Sequence, residues 1–345
     1  MDTDTDSQSP SQLQTILPWH QELWQRLTGQ HQQQRLPHAL LLCGEPGLGK
    51  AQFSKALGQY LLCRQPTLRD QQLLSCGHCK SCLLNAQGSH PDLVEIAPEG
   101  PGKTIKVDQI RELVSTITLS AQQGGYRIVV LGPAEAMNIN AANALLKVLE
   151  EPGDQTLFVL YSHLPGRIVA TIRSRCQTLA LRLPDRDQAG AWLKRQEDVE
   201  GDVAELLNLA GGAPLAALAL ARDGSSELRK NLYQALKLVV TGEATSSQAA
   251  EKLTKARALD LLDWWLTLVQ DMIRFKAIQD TACINSVTAQ KMVVALSQRL
   301  SSQNMFEFAD RIQQYRQQLM SRNNPNERLL LEDLLIDWGT LFRAG

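Results

Sequence analysis

Four of the seven cysteines fall within twenty residues and have the spacing of a metal site: Cys63, Cys76, Cys79 and Cys82. Four thiolates can surround Zn²⁺ tetrahedrally, and the two Cys-x2-Cys spacings put three of them on one tight turn. An iron–sulfur cluster uses similar spacings but also needs a Cys-Pro pair, whereas two leucines follow Cys82. The segment 63–83 therefore predicts a structural zinc module, with an iron–sulfur cluster and free thiols as the alternatives. His78, inside the turn, is interpreted as a spacer.

A second group of residues has the pattern of a phosphate-binding loop. Residues 44–51 (GEPGLGKA) follow the template G-x-x-x-x-G-K-[ST] until its last position. In such loops backbone N–H groups close around phosphate oxygens, the lysine neutralises them, and the terminal hydroxyl binds Mg²⁺. Ala51 has no hydroxyl and cannot coordinate a metal. The pattern predicts a nucleotide-binding ancestry, with chance agreement as the alternative. The predicted site is degenerate and consists of Gly44, Gly47, Gly49, Lys50 and Ala51.

ATP hydrolysis at such a loop also requires carboxylates at the end of a neighbouring strand, which hold Mg²⁺ and orient water. The strand predicted at 128–131 is followed by Pro133 and Ala134, where an Asp-Glu pair would be expected. We interpret Glu135, one residue later, as a solvated turn residue, with a general base as the alternative. Two parts of the hydrolytic site are therefore missing, and we expect that the chain does not hydrolyse ATP.

An α/β domain must position these groups, because short β-rich runs alternate with helical patterns between residues 38 and 183. Length and flanking turn residues predict strands at 38–43, 93–97, 127–131, 156–161 and 178–183. Apolar residues at three- and four-residue spacing predict helices at 51–62, 107–120, 141–150 and 165–172. Strands separated by helices indicate right-handed βαβ crossovers and a buried parallel sheet.

Only helical patterns follow residue 184. They predict a small helical domain at 184–224 and then a helical bundle at 225–345. We expect the aromatic residues of the bundle to lie in its core or at helix interfaces: Trp264, Trp265, Phe306, Phe308, Trp338 and Phe342.

Composition limits the classes of function. The chain has 345 residues and a net charge of −1, so it has no basic field that would bind nucleic acid unaided. No apolar run approaches the ~18 residues needed to cross a bilayer, which argues against a membrane protein. Residues 1–15 are acidic and polar, without the features of a signal peptide, and predict a disordered tail. We therefore expect a cytoplasmic protein with reduced cysteines.

Taken together, these features resemble the delta-prime family of bacterial DNA polymerase III clamp-loader subunits, relatives of the AAA+ ATPases. The resemblance covers almost the whole chain. Besides the loop and the cysteines it rests on His90-Pro91-Asp92 with 107–113, on 141–152 (AANALLKVLEEP) and on Ser174-Arg175-Cys176. It implies an AAA+ α/β core at 16–183 with the zinc module inserted, a small helical lid at 184–224 and an all-α collar at 225–345.

The resemblance also implies a role for Arg175. In this family the Ser-Arg-Cys stretch supplies an arginine finger to the nucleotide on the neighbouring subunit. Without the resemblance Arg175 would be interpreted as an ordinary surface cation, and Arg167, Arg173 and Arg182 are its rivals. The implied partners are the motor subunits and the delta subunit in a five-membered ring, and, through that complex, the sliding clamp and primed DNA.

One further departure from the family agrees with a chain that is not an enzyme by itself. Family ATPases carry a cation in a Gly-Ser-x-Arg stretch of the lid, and the corresponding residues 212–215 are GAPL. We therefore expect a non-catalytic stator and assembly subunit of the DNA polymerase III holoenzyme, whose polymerase chemistry belongs to another subunit. The alternatives are an autonomous AAA+ ATPase and a zinc-dependent nucleic-acid-binding protein.

Overall fold

The computed structural model describes residues 15–343 except 70, 101, 118–124, 154, 198, 200, 201, 223, 224, 255, 287 and 321–325. The tail expected at 1–15 lies outside the described residues except for Thr15. Contacts divide the chain into two compact units, Met1–Gln188 and Ala189–Gly345.

The first unit alternates strands with helices, as the sequence predicts. In chain order its elements are α1 (Gln21–Gln32), β1 (Ala39–Cys43), α2 (Lys50–Leu62), β2 (Thr67–Arg69), β3 (Gln72–Leu74), α3 (Lys80–Ala86), β4 (Leu93–Ile96), α4 (Val107–Ile117), β5 (Arg127–Leu131), α5 (Ile139–Glu150), β6 (Thr156–Ser162), α6 (Ala170–Arg173) and β7 (Gln177–Ala180). The helix α7 (Arg186–Leu193) crosses the boundary between the units.

Five of the strands form one parallel sheet in the order β4-β5-β6-β1-β7. Every residue of β1 and β5 is buried, as expected of strands covered on both faces. The predicted α/β class and all five predicted strands of the sheet are confirmed. The short strands β2 and β3 form a separate antiparallel hairpin that the sequence analysis did not predict.

The helix predicted at 165–172 is wrong. The structure has a single 3₁₀ turn at Pro165–Arg167, then non-helical backbone at Ile168 and Val169, and only then the short α6. Ile168 and Ile172 are both buried in the core beside the sheet, which accounts for their four-residue spacing without a continuous helix. The spacing of apolar residues indicates which side chains are buried, and here a segment that is not one continuous helix has the same spacing.

The stretch around His90 has a structural role within the first unit. Asp92, which precedes β4, and Arg127, the first residue of β5, are almost fully buried and form an ion pair of 3.6 Å. Arg127 also donates to the carbonyl of Thr116, at the end of α4, over 2.6 Å. The Asp92 N–H donates to His90 Nδ1 over 3.1 Å. The hydrogen bond from Arg127 to Thr116 therefore ties α4 to the sheet. Loss of either partner of the ion pair would leave an uncompensated buried charge.

The second unit contains helices only, among the residues that are described. They are α8 (Val203–Leu209), α9 (Pro214–Arg222), α10 (Ser225–Thr241), α11 (Ser246–Lys252), α12 (Ala258–Ile278), α13 (Gln290–Arg299), α14 (Ser302–Met320) and α15 (Glu327–Arg343). Trp265, Phe308, Trp338 and Phe342 pack in one core with edge-to-face and tilted rings. Phe306 does not belong to that core, because its side chain is 56% exposed on α14.

A buried polar cluster joins the smaller helices of this unit to the bundle. The Glu205 carboxylate on α8 pairs with Arg229 on α10 over 3.5 Å and accepts a hydrogen bond from Thr288 over 2.7 Å. Asp271 on α12 is fully buried and accepts backbone N–H groups of Asn285 and Ser286. The division at 224 and 225 into a lid and a collar stays a prediction.

Within the described part of the chain, no single helix combines the length and apolar character that would cross a membrane. By length and composition alone, α8 and α9 pass that test as a pair, with a 112° bend between them.

Candidate functional site

The phosphate-binding pattern forms a loop between the end of β1 and the start of α2. Gly47 and Gly49 have φ values of 78° and 80°, which side chains other than glycine rarely adopt, so these two glycines fix the shape of the loop. Lys50 is the first residue of α2 and only 2% exposed. Its ammonium donates to the carbonyls of Gly44 and Glu45, each over 2.6 Å. Burial lowers the pKa of Lys50 to about 8, although the Glu135 carboxylate opposes that shift.

The N-terminal segment holds this loop from outside. Trp19 Nε1 donates to the Leu48 carbonyl over 3.0 Å, and His20 Nε2 contacts the same oxygen at 2.7 Å, which requires the tautomer with a proton on Nε2. His20 is 1% exposed and lies edge-on to the Phe53 ring. Burial lowers its pKa to about 4. These contacts could not be predicted from the sequence, because no local pattern indicates a pairing across 28 residues.

The part of the site that would bind Mg²⁺ has only some of the groups that this requires. Ala51 presents a methyl group, and Pro133 and Ala134 follow β5. Glu135 is not the solvated turn residue that we expected, because its Oε1 accepts the N–H of His163 over 2.9 Å. Burial alone would raise the pKa of Glu135, but hydrogen bonds from Ser162 and the backbone lower it. The site thus contains a lysine and a carboxylate but lacks the hydroxyl ligand.

The four predicted cysteine ligands come together in the first unit. All four sulfur atoms lie within 4.8 Å of one another. Cys63 follows the last residue of α2, Cys79 precedes α3 and Cys82 lies within α3. The Sγ–Sγ distances are 3.9 Å for Cys63 and Cys79 and 3.8 Å for Cys76 and Cys82. A tetrahedral site with Zn–S bonds of about 2.3 Å has S–S edges of about 3.8 Å. The cluster could therefore hold a metal ion, and its geometry fits four-coordinate zinc.

Backbone N–H groups also point at these sulfur atoms, as is favourable for thiolates. The N–H of Cys76 donates to Cys63 Sγ and that of Cys79 donates to Cys76 Sγ, both over 3.3 Å. Burial raises the pKa of the Cys79 thiol, but hydrogen bonds from the N–H groups of Cys82 and Arg64 and from the thiols of Cys82 and Cys76 together lower that pKa to about 6. His78 turns a ring nitrogen to the carbonyl of Cys76, which agrees with its interpretation as a spacer.

Arg175 lies at the opposite end of the sheet from the phosphate loop. It comes two residues before β7, whose first residue, Gln177, pairs with Leu40 near the start of β1. Its guanidinium forms an ion pair with Glu150, the last residue of α5. The loop follows the other end of β1, and five strand residues span about 16 Å. The structure therefore separates Arg175 from the chain's own phosphate loop.

Comparison with known proteins identifies the family. A family model described as "DNA polymerase III, delta subunit" matches residues 19–185, and one described as its C-terminal part matches residues 224–340. The DNA polymerase III subunit delta' of Pseudomonas aeruginosa is 37% identical over 333 residues, which cover 96% of this chain and 99% of the relative. That of Escherichia coli K12 is also 37% identical, over 92% of this chain and 94% of the relative.

Among solved structures, a DNA polymerase III gamma subunit-related protein from Thermotoga maritima matches 92% of this chain and 99% of its own length. It is 18% identical to this chain, with a TM-score of 0.48. The two curated relatives span nearly the full length of the chain at well above 30% identity. The chain therefore belongs to the family of DNA polymerase III delta' subunits.

Proposed function

We propose that the chain is a non-catalytic stator and assembly subunit of the DNA polymerase III clamp loader, and that Arg175 acts in trans as an arginine finger. The observation that carries this proposal is the position of Arg175, across the length of β1 from a phosphate loop that lacks its metal ligand. A guanidinium at that end of the sheet can serve only a nucleotide bound elsewhere. The neighbouring motor subunit of the complex would supply that nucleotide.

The exposure of Arg175 and the way its backbone is held support this role. The residue is one-third exposed and is held by its own segment, because its N–H donates to Ile172 O over 3.1 Å and the flanking Ile172 and Cys176 are buried. A finger contributes by stabilising charge on phosphates, which needs a cation that is both accessible and fixed. Arg175 meets both conditions.

The subunit would join the motor subunits and the delta subunit in a five-membered ring, in the cytoplasm, and would help to load the sliding clamp onto primed DNA. With a net charge of −1 the chain has no overall basic field that would bind DNA unaided. Its contact with DNA would therefore be shared with the complex.

We also propose that zinc is the metal of the cysteine cluster, where it would have a structural role. The cluster offers four thiolates, so a tetrahedral ion would leave no position for water or substrate. Cys63, Cys76, Cys79 and Cys82 would hold the ion, which would fix the ends of α2 and α3.

The test of the finger uses Arg175→Ala in a complex reconstituted with the motor and delta subunits. Loss of a sole arginine finger lowers turnover by about 10³- to 10⁵-fold, but other interfaces remain active here, so we expect a partial loss of DNA-stimulated ATP hydrolysis and a larger loss of clamp loading. The matched control is Arg182→Ala, because Arg182 is exposed beyond the other end of β7. Wild-type activity of an Arg175→Ala complex that assembles normally would disprove the assignment.

A further inference from the structure

Arg175 is restrained by a neighbour that the proposed function does not explain. Its Nη1 donates to the carbonyl of Thr171 over 2.9 Å, and its Nη2 pairs with a carboxylate oxygen of Glu150. The two contacts come from different elements, since Thr171 lies in α6 and Glu150 ends α5. The guanidinium is therefore held from two sides, while a third of the side chain faces solvent.

This restraint distinguishes Arg175 from the arginines around it. Arg167, Arg173 and Arg182 are all exposed, and none of the three forms an ion pair with another described residue. A guanidinium carries five N–H donors in a rigid fork. With one donor on Thr171 and one on Glu150, three remain for a phosphate. Holding the fork in place beforehand reduces the side-chain entropy that is lost when it engages.

The base of this arrangement is fixed by buried side chains. Leu149 and Val148, next to Glu150, are packed in the same core as Ile172 and Cys176, which flank the Arg175 segment. His38, which precedes β1, contacts the Leu149 carbonyl over 3.2 Å. Both partners of the ion pair therefore project from backbone that the core positions, so the pair has a defined place at this end of the sheet.

We propose that Glu150 is a positioning residue for Arg175, which it aims at the phosphates of the neighbouring subunit. This inference rests on the proposed role of Arg175 as a finger. Glu150 does not touch the nucleotide; its carboxylate orients the guanidinium and leaves the outward N–H groups free. It acts on the catalytic step of the complex through Arg175 alone.

The experiment measures DNA-stimulated ATP hydrolysis by complexes that contain Glu150→Ala, Glu150→Gln or the matched control Glu151→Gln. Glu151 is the adjacent exposed carboxylate and forms no ion pair with another described residue. We expect Glu150→Ala to lower kcat about twofold to fivefold, the factor that an exposed ion pair of this kind contributes, with KM for ATP unchanged. Glu150→Gln should lose less, because the amide oxygen still accepts the hydrogen bond, and Glu151→Gln should match wild type.

A double-mutant cycle separates positioning from a merely structural role. In an Arg175→Ala background, Glu150→Ala should cause no further loss, because there is no guanidinium left to position. An equal loss in both backgrounds, an unchanged kcat for Glu150→Ala, or a raised kcat would overturn the proposal. If Arg175→Ala itself has wild-type activity, the finger fails and the positioning role falls with it. If only Glu150→Ala is silent, the finger stands and positioning alone is disproved.

Discussion

His20 is the buried titratable residue that links the N-terminal segment to the phosphate loop, and it makes stability depend on pH. Burial lowers its pKa to about 4 in the folded chain from 6.5, so the unfolded chain binds more protons between those values. The contribution of neutral His20 to the free energy of unfolding is therefore fully present above pH 6.5 and is lost as the pH falls toward 4. We expect the free energy of unfolding to fall by about 2 kcal/mol from this group between pH 7.5 and pH 5.

Urea unfolding of wild type and His20→Gln at a series of pH values measures this contribution. Glutamine can still donate to the Leu48 carbonyl but does not titrate. The variant should therefore have a flatter pH dependence than wild type in this window. Identical slopes in the two proteins would show that the buried imidazole does not control acid stability.

Individual functional residues can be predicted from the sequence where a short local pattern identifies their chemistry. The four cysteines and Lys50 are recognisable because ligand spacing and loop pattern are short-range. Glu135 was misinterpreted, since its partner His163 lies 28 residues away, across the neighbouring strand. Tertiary contacts of that kind have no local signal.

The cysteine-containing segment 63–83 is an element whose small size predicts that its fold depends on a bound metal. Its hairpin has strands of three residues each and α3 has seven, too few to bury a core of their own. Elemental analysis of the purified chain should find one zinc per molecule. Cys79→Ser should release the metal and increase proteolytic cleavage between residues 63 and 82.

Cys283→Ser is the control for that experiment, because Cys283 is outside the cluster and should leave the metal content unchanged. Metal content near zero in freshly purified wild type would disprove the zinc assignment. Iron in place of zinc would revive the iron–sulfur alternative.

The spacing of apolar residues predicted the strands of the sheet well. It failed where residues are buried at helical spacing without forming a helix. All five strands of the sheet are present, because continuous buried runs and flanking turns are local signals. The hairpin β2–β3 escaped, since three-residue strands have no usable period. The segment 165–172 has helical spacing, yet the non-helical backbone at Ile168 and Val169 divides it.

For the molecule as a whole we expect negligible ATP turnover without partners. Ala51, Pro133, Ala134 and Leu215 each replace a group that hydrolysis uses, so Ala51→Ser should not restore activity. A steady-state assay of the isolated chain, with a competent clamp-loader ATPase as positive control, measures this directly. A turnover in the common enzyme range of about 1 to 10³ per second would instead establish the autonomous ATPase.

Arg175 and the phosphate loop lie at the two ends of β1, so the two ends of the sheet differ in the chemistry they can offer a neighbouring subunit. At one end the Arg175 guanidinium is partly exposed, whereas the loop at the other end has Ala51 in place of the hydroxyl residue that binds Mg²⁺. If Arg175 acts as we propose, such a chain completes a hydrolytic site on one side and interrupts the series on the other. A closed ring that contains this chain then has fewer hydrolytic sites than subunits. The order in which the sites hydrolyse ATP around the ring would therefore end at this chain.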